Sequence, residues 1–587
     1  MLKIFKYFKS REWGLVGASL LFVIAQVWLD LRLPEYMSEI TTLIQTEGSA
    51  MGDILYAGGK MLLCALGSLA SSIIVGYFAA KLAARFSRRL RRNLYYHIQM
   101  FSMEEINQFS RASLITRSTN DITQIQMFVA MGLQVIVKAP IMAIMAIGKI
   151  QSKGNFEWSM LTAGAVIFLL VVIISIMAYA VPKFRRIQGL TDNLNRITSE
   201  NLSGLRVVRA YNAEDYQNEK FEEANNALCG TQLKAQLAMA VMNPTMSVVM
   251  NGVSLGVYWI GAYLINAAAG AEKLNVFSNM VVFSSYAMQV IMAFTLLTMI
   301  FIMLPRMAVS ARRINEVLDT PIKIKDGAFE GQTGDVQGEV EFKNVSFKYP
   351  DAEDYVLHNI SFTAHKGQTV ALIGATGSGK SSIINLIPRF FDTSEGEVLV
   401  DGVNVKDYKL SALRSKLGYV SQKAVLFSGT VASNVSMGDN GLPKPDDGAI
   451  QRAIDIAQSA DFVAQQPDGI HGHVAQNGAN FSGGQKQRLS IARAICRKPE
   501  IYIFDDSFSA LDYKTDRALR EALKRETSGV TNIIVAQRIG TIMDADRILV
   551  IHEGRIVGDG KHSELLKHCE VYQEIAASQL SKEELSA

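Results

Sequence analysis

The eight residues Gly374-Ala-Thr-Gly-Ser-Gly-Lys-Ser381 follow an apolar run at 369–373 and precede a helix-like stretch, SSIINLI. Gly374, Gly377 and Gly379 let the backbone turn its N–H groups toward an anion, and the helix start adds partial positive charge. Lys380 carries a cation for outer phosphates, and the Ser381 hydroxyl suits a divalent metal. Thr376, Ser378 and Ser382 belong to the same cradle. A second run, IYIFDDSFSALD (501–512), sets Asp505 after four apolar residues. A strand-end carboxylate there completes a Mg2+ site. Glycine loop, lysine and strand-end aspartate in this order suit a nucleoside triphosphate held with Mg2+.

Such a loop works between a buried strand and a helix, so the surrounding chain should be an α/β domain. GEVEFKNVSFKYP (338–350) alternates as a strand does, and the soluble pattern fills 338–580 behind a polar linker at 316–337. Residues 1–315 read differently. The chain is 49% hydrophobic and 19% charged, and the apolar excess sits in this first part. A bilayer crossing takes about 20 mostly apolar helical residues. Six candidates occur, near 14–36, 55–80, 126–149, 158–182, 239–265 and 276–304. The expected architecture is a six-helix membrane bundle with long intracellular extensions, fused to a cytoplasmic α/β ATPase domain. The net charge of +4 gives no nucleic-acid footprint. Cys64, Cys229, Cys496 and Cys569 form no C-x-x-C pair, so neither zinc nor a disulfide framework is expected.

Basic residues set the orientation. KLAARFSRRLRR (81–92) is strongly basic and belongs inside, whereas 37–53 has no Lys or Arg and belongs outside. The basic start MLKIFKYFKSR is read as the cytoplasmic beginning of a retained helix. Short turns at 150–157 and 266–275 and long connections at 81–125 and 183–238 then alternate consistently. The long connections keep a helical period and should leave the membrane, turn and return. Their tips are expected near SRASLITRSTND (110–121) and GLRVVRAYNAED (204–215). Within the spans, Asp30 either faces a cavity or sits at the outer interface, and Lys138 either faces a cavity or pairs. Methionines such as Met242, Met246, Met250, Met280, Met288, Met292, Met299 and Met303 suit an adaptable pocket or plain packing.

NFSGGQKQRLSIARA (480–494), between the glycine loop and the aspartate strand, resembles the signature of ABC transporter ATPase domains. With six spans ahead of it, the whole chain resembles an ABC exporter half-transporter of type IV. SLITRSTNDITQIQ and ENLSGLRVVRAYNAE look like that family's coupling regions. The resemblance implies that ATP and Mg2+ are bound and that Tyr349 stacks on adenine. It also implies that Gln422 contacts Mg2+, along with Ser381 and Asp505. Ser482, Gly483, Gly484 and Gln485 would meet the ATP held by a partner chain. Ser509–Asp512 matches the segment at the dimer interface.

Two positions depart from the family pattern. The glutamate that follows the metal aspartate and acts as base is Asp506 here, and the histidine of an A-H-R triplet is Gln537. Shortening the base withdraws its carboxylate by about 1.5 Å, and an error of about 1 Å can cost 100-fold in rate. The pair resembles the degenerate-site subunit of heterodimeric bacterial multidrug exporters. The implied partners are a second, different half-transporter, the bilayer and a small amphipathic substrate, with no nucleic acid. The implied location is a bacterial plasma membrane, with both termini cytoplasmic. A homodimeric lipid or peptide flippase with slow turnover and an ATP-gated regulator are the rival readings.

Overall fold

The computed structural model describes residues 2–46, 48–153, 156–269, 272–331, 337–350 and 352–580. The chain forms two compact units, Met1–Gln99 with Arg111–Thr320, and Met100–Ser110 with Pro321–Ala587.

In the first unit, six helices are long and apolar enough to cross a membrane: Ser10–Gln45, Met51–Gln99, Arg111–Gln151, Phe156–Ser203, Glu214–Ala267 and Glu272–Leu297. At 1.5 Å per residue, the 49 residues of Met51–Gln99 extend about 73 Å, far beyond a bilayer core of about 30 Å. The long connections are therefore helical continuations of the spans, as their periodicity requires. The first reversal lies earlier than expected. It occupies Met100–Ser110, where Met103–Gln108 is a short helix capped by Ser102, whose hydroxyl accepts from the Glu104 N–H. Residues 111–121 already belong to the returning helix and include a π-helical turn, Arg117–Asp121. The second reversal falls where expected, around Leu205–Ala210. Of the short turns, residues 154–155 and 270–271 lie outside the described residues, as do 332–336 of the linker.

Prolines locate the breaks in the spans. Pro140 has no N–H for the Ile136 carbonyl, and the third span divides into Ile122–Val135 and Lys138–Lys153. Pro244 likewise gives nothing to Ala240, and the fifth divides between Glu214–Ala240 and Met242–Ala267. Val23, Val27 and Leu31 share an apolar core with Phe283, Tyr286, Val290 and Ile291. Met242, Met246 and Met280 are buried in it, whereas Met288 and Met292 are exposed. The side chain of Met299 lies outside the described set. The sixth helix runs to Asp319, through the start of the stretch read as a linker.

The second unit is built on a six-stranded sheet. Its strand order is Arg555–Gly560, Arg547–His552, Thr369–Ile373, Thr531–Val535, Ile501–Asp505 and Leu417–Val420, with only the first strand antiparallel. The central strands are almost wholly buried and read as apolar runs, TVALI and IYIFD, as sheets covered on both faces require. A four-stranded antiparallel sheet, Leu357–Ala364, Val340–Phe347, Glu395–Val400 and Val403–Asn404, packs into the same core.

Candidate functional site

Parallel register assembles the site. Thr531–Val535 lies between the glycine-loop strand and the aspartate strand, with Val535 opposite both Leu372 and Asp505. Three chain segments therefore leave the sheet at one edge: Gly374 onward, Asp506 onward and Ala536-Gln537. Ligands of open α/β sheets bind beyond such carboxyl ends.

The loop needs its glycines for different reasons. Gly374 (φ +157°) passes so close to the Ile551 carbonyl that an added Cβ would lie 2.0 Å from its oxygen. Gly377 (φ +86°) has open space around it but holds a backbone conformation that L side chains rarely adopt. Thr376 is exposed between them. Lys380 is buried, and its ammonium donates to the Gly374 and Ala375 carbonyls at 2.8 and 2.7 Å and to Ser378 Oγ at 3.3 Å. Burial pushes its pKa down, and the carboxylates of Asp506 and Asp505 act against that. Ser382, one turn into the following helix, meets the Tyr349 hydroxyl at 3.0 Å. The Tyr349 ring is wedged edge-on against Phe347 and Phe391.

Ser381 donates to Asp505 Oδ1 at 3.0 Å. Hydroxyl and carboxylate are hard oxygen donors that fit Mg2+, an ion that keeps waters and phosphate oxygens as its other ligands. These two residues could hold it. Desolvation raises the Asp505 pKa, opposed by the Ser381 hydrogen bond, and the Asp506 carboxylate beside it raises it further.

Asp506 is buried and bent into the left-handed region (φ +47°). Its N–H donates to the Val535 carbonyl at 2.9 Å, and its own carbonyl accepts from Ser509 Oγ at 2.9 Å. One carboxylate oxygen, Oδ2, accepts from both Gln537 Nε2 at 2.9 Å and Gln422 Nε2 at 3.2 Å. The two unusual positions are thus bonded to each other, and Gln422 is bound to Asp506. Burial raises the Asp506 pKa, while Gln422, Ser509, Lys380 and Arg538 lower it. Arg538 and Ser509 were not singled out for this field, although the A-Q-R triplet and the interface segment both pointed to their neighbourhood.

The signature segment lies apart from these contacts. Ser482 caps the helix Gly483–Cys496: its N–H donates to Gln485 Oε1 at 2.8 Å and its Oγ accepts from the Gln485 N–H at 3.3 Å. A Cβ on Gly483 would meet nothing within 4 Å, so the helix start is open on that side.

A strand-ended phosphate loop, a signature helix and six long apolar helices in one chain define a membrane transport ATPase. The chain belongs to the ABC transporter family. The family model described as ABC transporter matches residues 357–509, and that of the ABC transporter transmembrane region matches 16–311. An uncharacterized ABC transporter ATP-binding protein of Mycobacterium tuberculosis strain H37Rv is 39% identical over 93% of each chain. An ATP-dependent lipid A-core flippase of Pseudomonas fluorescens strain Pf0-1 is 32% identical over 86% of this chain and 82% of its own. The solved structure of a bacterial Atm1-family ABC exporter with ATP bound matches with a TM-score of 0.81. It covers 97% of this chain and 98% of that one at 24% identity, a likeness of fold. The protein is accordingly an ABC transporter chain, its transmembrane region fused to an ATP-binding domain.

Proposed function

We propose that this chain is the hydrolysis-impaired half of a heterodimeric exporter of amphipathic compounds in a bacterial plasma membrane, with both termini and the ATPase domain cytoplasmic. One observation carries the reading. The carboxylate in the base position belongs to the shorter aspartate, and a single one of its oxygens accepts two amides, from Gln422 and Gln537. An amide at residue 537 donates a hydrogen bond but neither carries charge nor exchanges a proton as imidazole does.

ATP with Mg2+ is bound by Gly374–Ser382, Asp505, Gln422 and the Tyr349 ring, and is turned over slowly. The open helix start at Ser482, Gly483 and Gly484, with Gln485, faces ATP held by the partner chain, whose own glutamate and histidine cleave it. Lipid flipping by two identical chains is the second reading, favoured by the relative described as a lipid A-core flippase.

Gentle extraction of the tagged chain from its native membrane, followed by native mass measurement, separates the two. A different chain of similar size at 1:1 is expected. A pair of identical chains would overturn the asymmetric reading and make Asp506 the only base available.

A further inference from the structure

The strand that leads into the A-Q-R triplet ends before the triplet does. Thr531–Val535 is laddered to a neighbour on each side, and Ala536 still donates to the Leu372 carbonyl at 3.1 Å. Past that bond the chain leaves the sheet and enters a short turn, Ile539–Thr541. The backbone of Gln537 and Arg538 therefore needs an anchor that the sheet does not supply.

The anchor comes from the C-terminal helix, Glu570–Gln579. Its Tyr572 and Ala576 share a buried apolar core with Ala536, Ile539 and Ile542, which brings the end of the helix to the exit of the strand. There the last helical residue, Gln579, uses both ends of its amide. Nε2 donates to the Gln537 carbonyl at 2.8 Å, and Oε1 accepts from the Ile539 N–H at 2.8 Å. A neighbouring parallel strand engages the same two groups, the carbonyl of one residue and the N–H two residues on. One side chain thus continues the ladder past the end of the strand. Gln579 is itself exposed, so these two bonds rather than burial tie it to the exit.

Both residues next to this bracket act at the base position. Gln537 Nε2 donates to Asp506 Oδ2 at 2.9 Å. Arg538 donates to the Ser509 carbonyl at 3.4 Å, and Ser509 Oγ donates to the Asp506 carbonyl. Gln422 reaches the same Asp506 oxygen from another segment, so Gln579 bears on one of its two amide partners. A shift of about 1 Å at a reacting group can cost 100-fold in rate.

We infer that Gln579 is a positioning residue of this chain's own ATP site, acting through Gln537 on Asp506, and that the C-terminal helix is thereby linked to ATP cleavage. This role rests on the proposed part of Asp506 and Gln537 in cleavage at that site, and not on the partner or the cargo.

The test uses the full-length transporter, purified with whatever chain accompanies it, in lipid nanodiscs. It is loaded with 8-azido-ATP and Mg2+ and crosslinked by light at intervals. Mass spectrometry of this chain's own labelled peptides then gives the fraction of triphosphate cleaved there. Gln579→Glu keeps the length of the side chain but sets an acceptor against the Gln537 carbonyl. It is expected to slow cleavage about tenfold while leaving ATP affinity within about twofold. In a Gln537→Ala background the same substitution is expected to change the rate less than about twofold, because the group it places is gone. An unchanged rate in the first comparison, or an equal loss in both backgrounds, overturns the inference. Gln573→Ala removes a bond from the same helix to the Leu566 carbonyl and is expected to leave the rate unchanged; a loss equal to that of Gln579→Glu would assign the effect to helix stability and overturn it too. Gln537→Ala alone is expected to slow cleavage at least as much as Gln579→Glu. No effect there would overturn the reading of the site itself, whereas an effect there with none in Gln579→Glu overturns this inference alone.

Discussion

In the ATPase domain, Lys380, Asp505 and Gln537 are placed by three strands in parallel register, so the backbone ladder sets their spacing before any side chain contributes. In the membrane unit, Lys138 and Lys149 reach Asp30 and Glu35 across helix faces through side chains. Helices satisfy their own backbone hydrogen bonds, so nothing but side-chain packing and pairing joins one to the next. Charges that must sit within tenths of an ångström of phosphate are held by a sheet. Charges that join the first and third spans are held by side-chain contacts between helices. The same residue types therefore serve a site spaced by backbone register in one region and a seam joined by side chains in the other.

The sharpest way to break that contrast is at Lys380. Lys380→Ala removes the only side-chain ammonium that the loop carbonyls hold, among the described residues. Losing a preorganised charge at a phosphate site costs about 10²–10³-fold. The expected result is loss of ATP binding by this chain's own site, read by fluorescent nucleotide titration, with the helical content of both units unchanged.

Next in size is the ion pair at the start of the first span. Arg89 grips Glu12 with two bonds of 2.7 and 2.8 Å, and the Glu12 side chain is 3% exposed. Glu12→Gln should lower stability by about 3 kcal/mol because it takes the counter-charge from a guanidinium only 18% exposed. Lys138→Gln, at a pair whose side chains are 22% and 25% exposed and where an amide can still donate, should lower it by about 1 kcal/mol. Thermal unfolding in one lipid environment compares them. Equal losses would erase the distinction between the more buried pair and the less buried one.

Restoring the family pattern sharpens the description of the ATP site. Asp506→Glu with Gln537→His is expected to raise turnover at this chain's own site about 100-fold. Single-turnover ATP cleavage checks this, and no gain would count against the proposed part of these two positions in slowing the site.

The smallest expected effect is at the signature helix. Ser482→Ala removes the cap from Gly483–Cys496 and should cost about 1 kcal/mol of local stability. Hydrogen exchange of the first helical turn measures it. A larger fall in the partner site's turnover than in stability would separate the phosphate-facing role from the cap.

Much of this molecule was legible in local pattern. Six apolar stretches of bilayer length, the basic run at 81–92 and the glycine loop each depend on residues within a few turns of one another, and their physics is local. The helical period of the long connections likewise held in both of them. The first reversal at Met100–Ser110 was misplaced because the short capped helix within it and the π-turn that follows it are both polar in composition. What the sequence determined by itself, then, was the set of groups: a glycine loop with its lysine, a strand-end carboxylate, two departures from the family pattern, and charged residues within the spans. Tertiary structure alone decided who meets whom. Gln422 and Gln537 converge on Asp506 from 84 and 31 residues away, and Lys138 reaches Asp30 across 108. Partners so distant are chosen by strand register and helix packing, which depend on the whole folded core and leave no spacing in the chain to read.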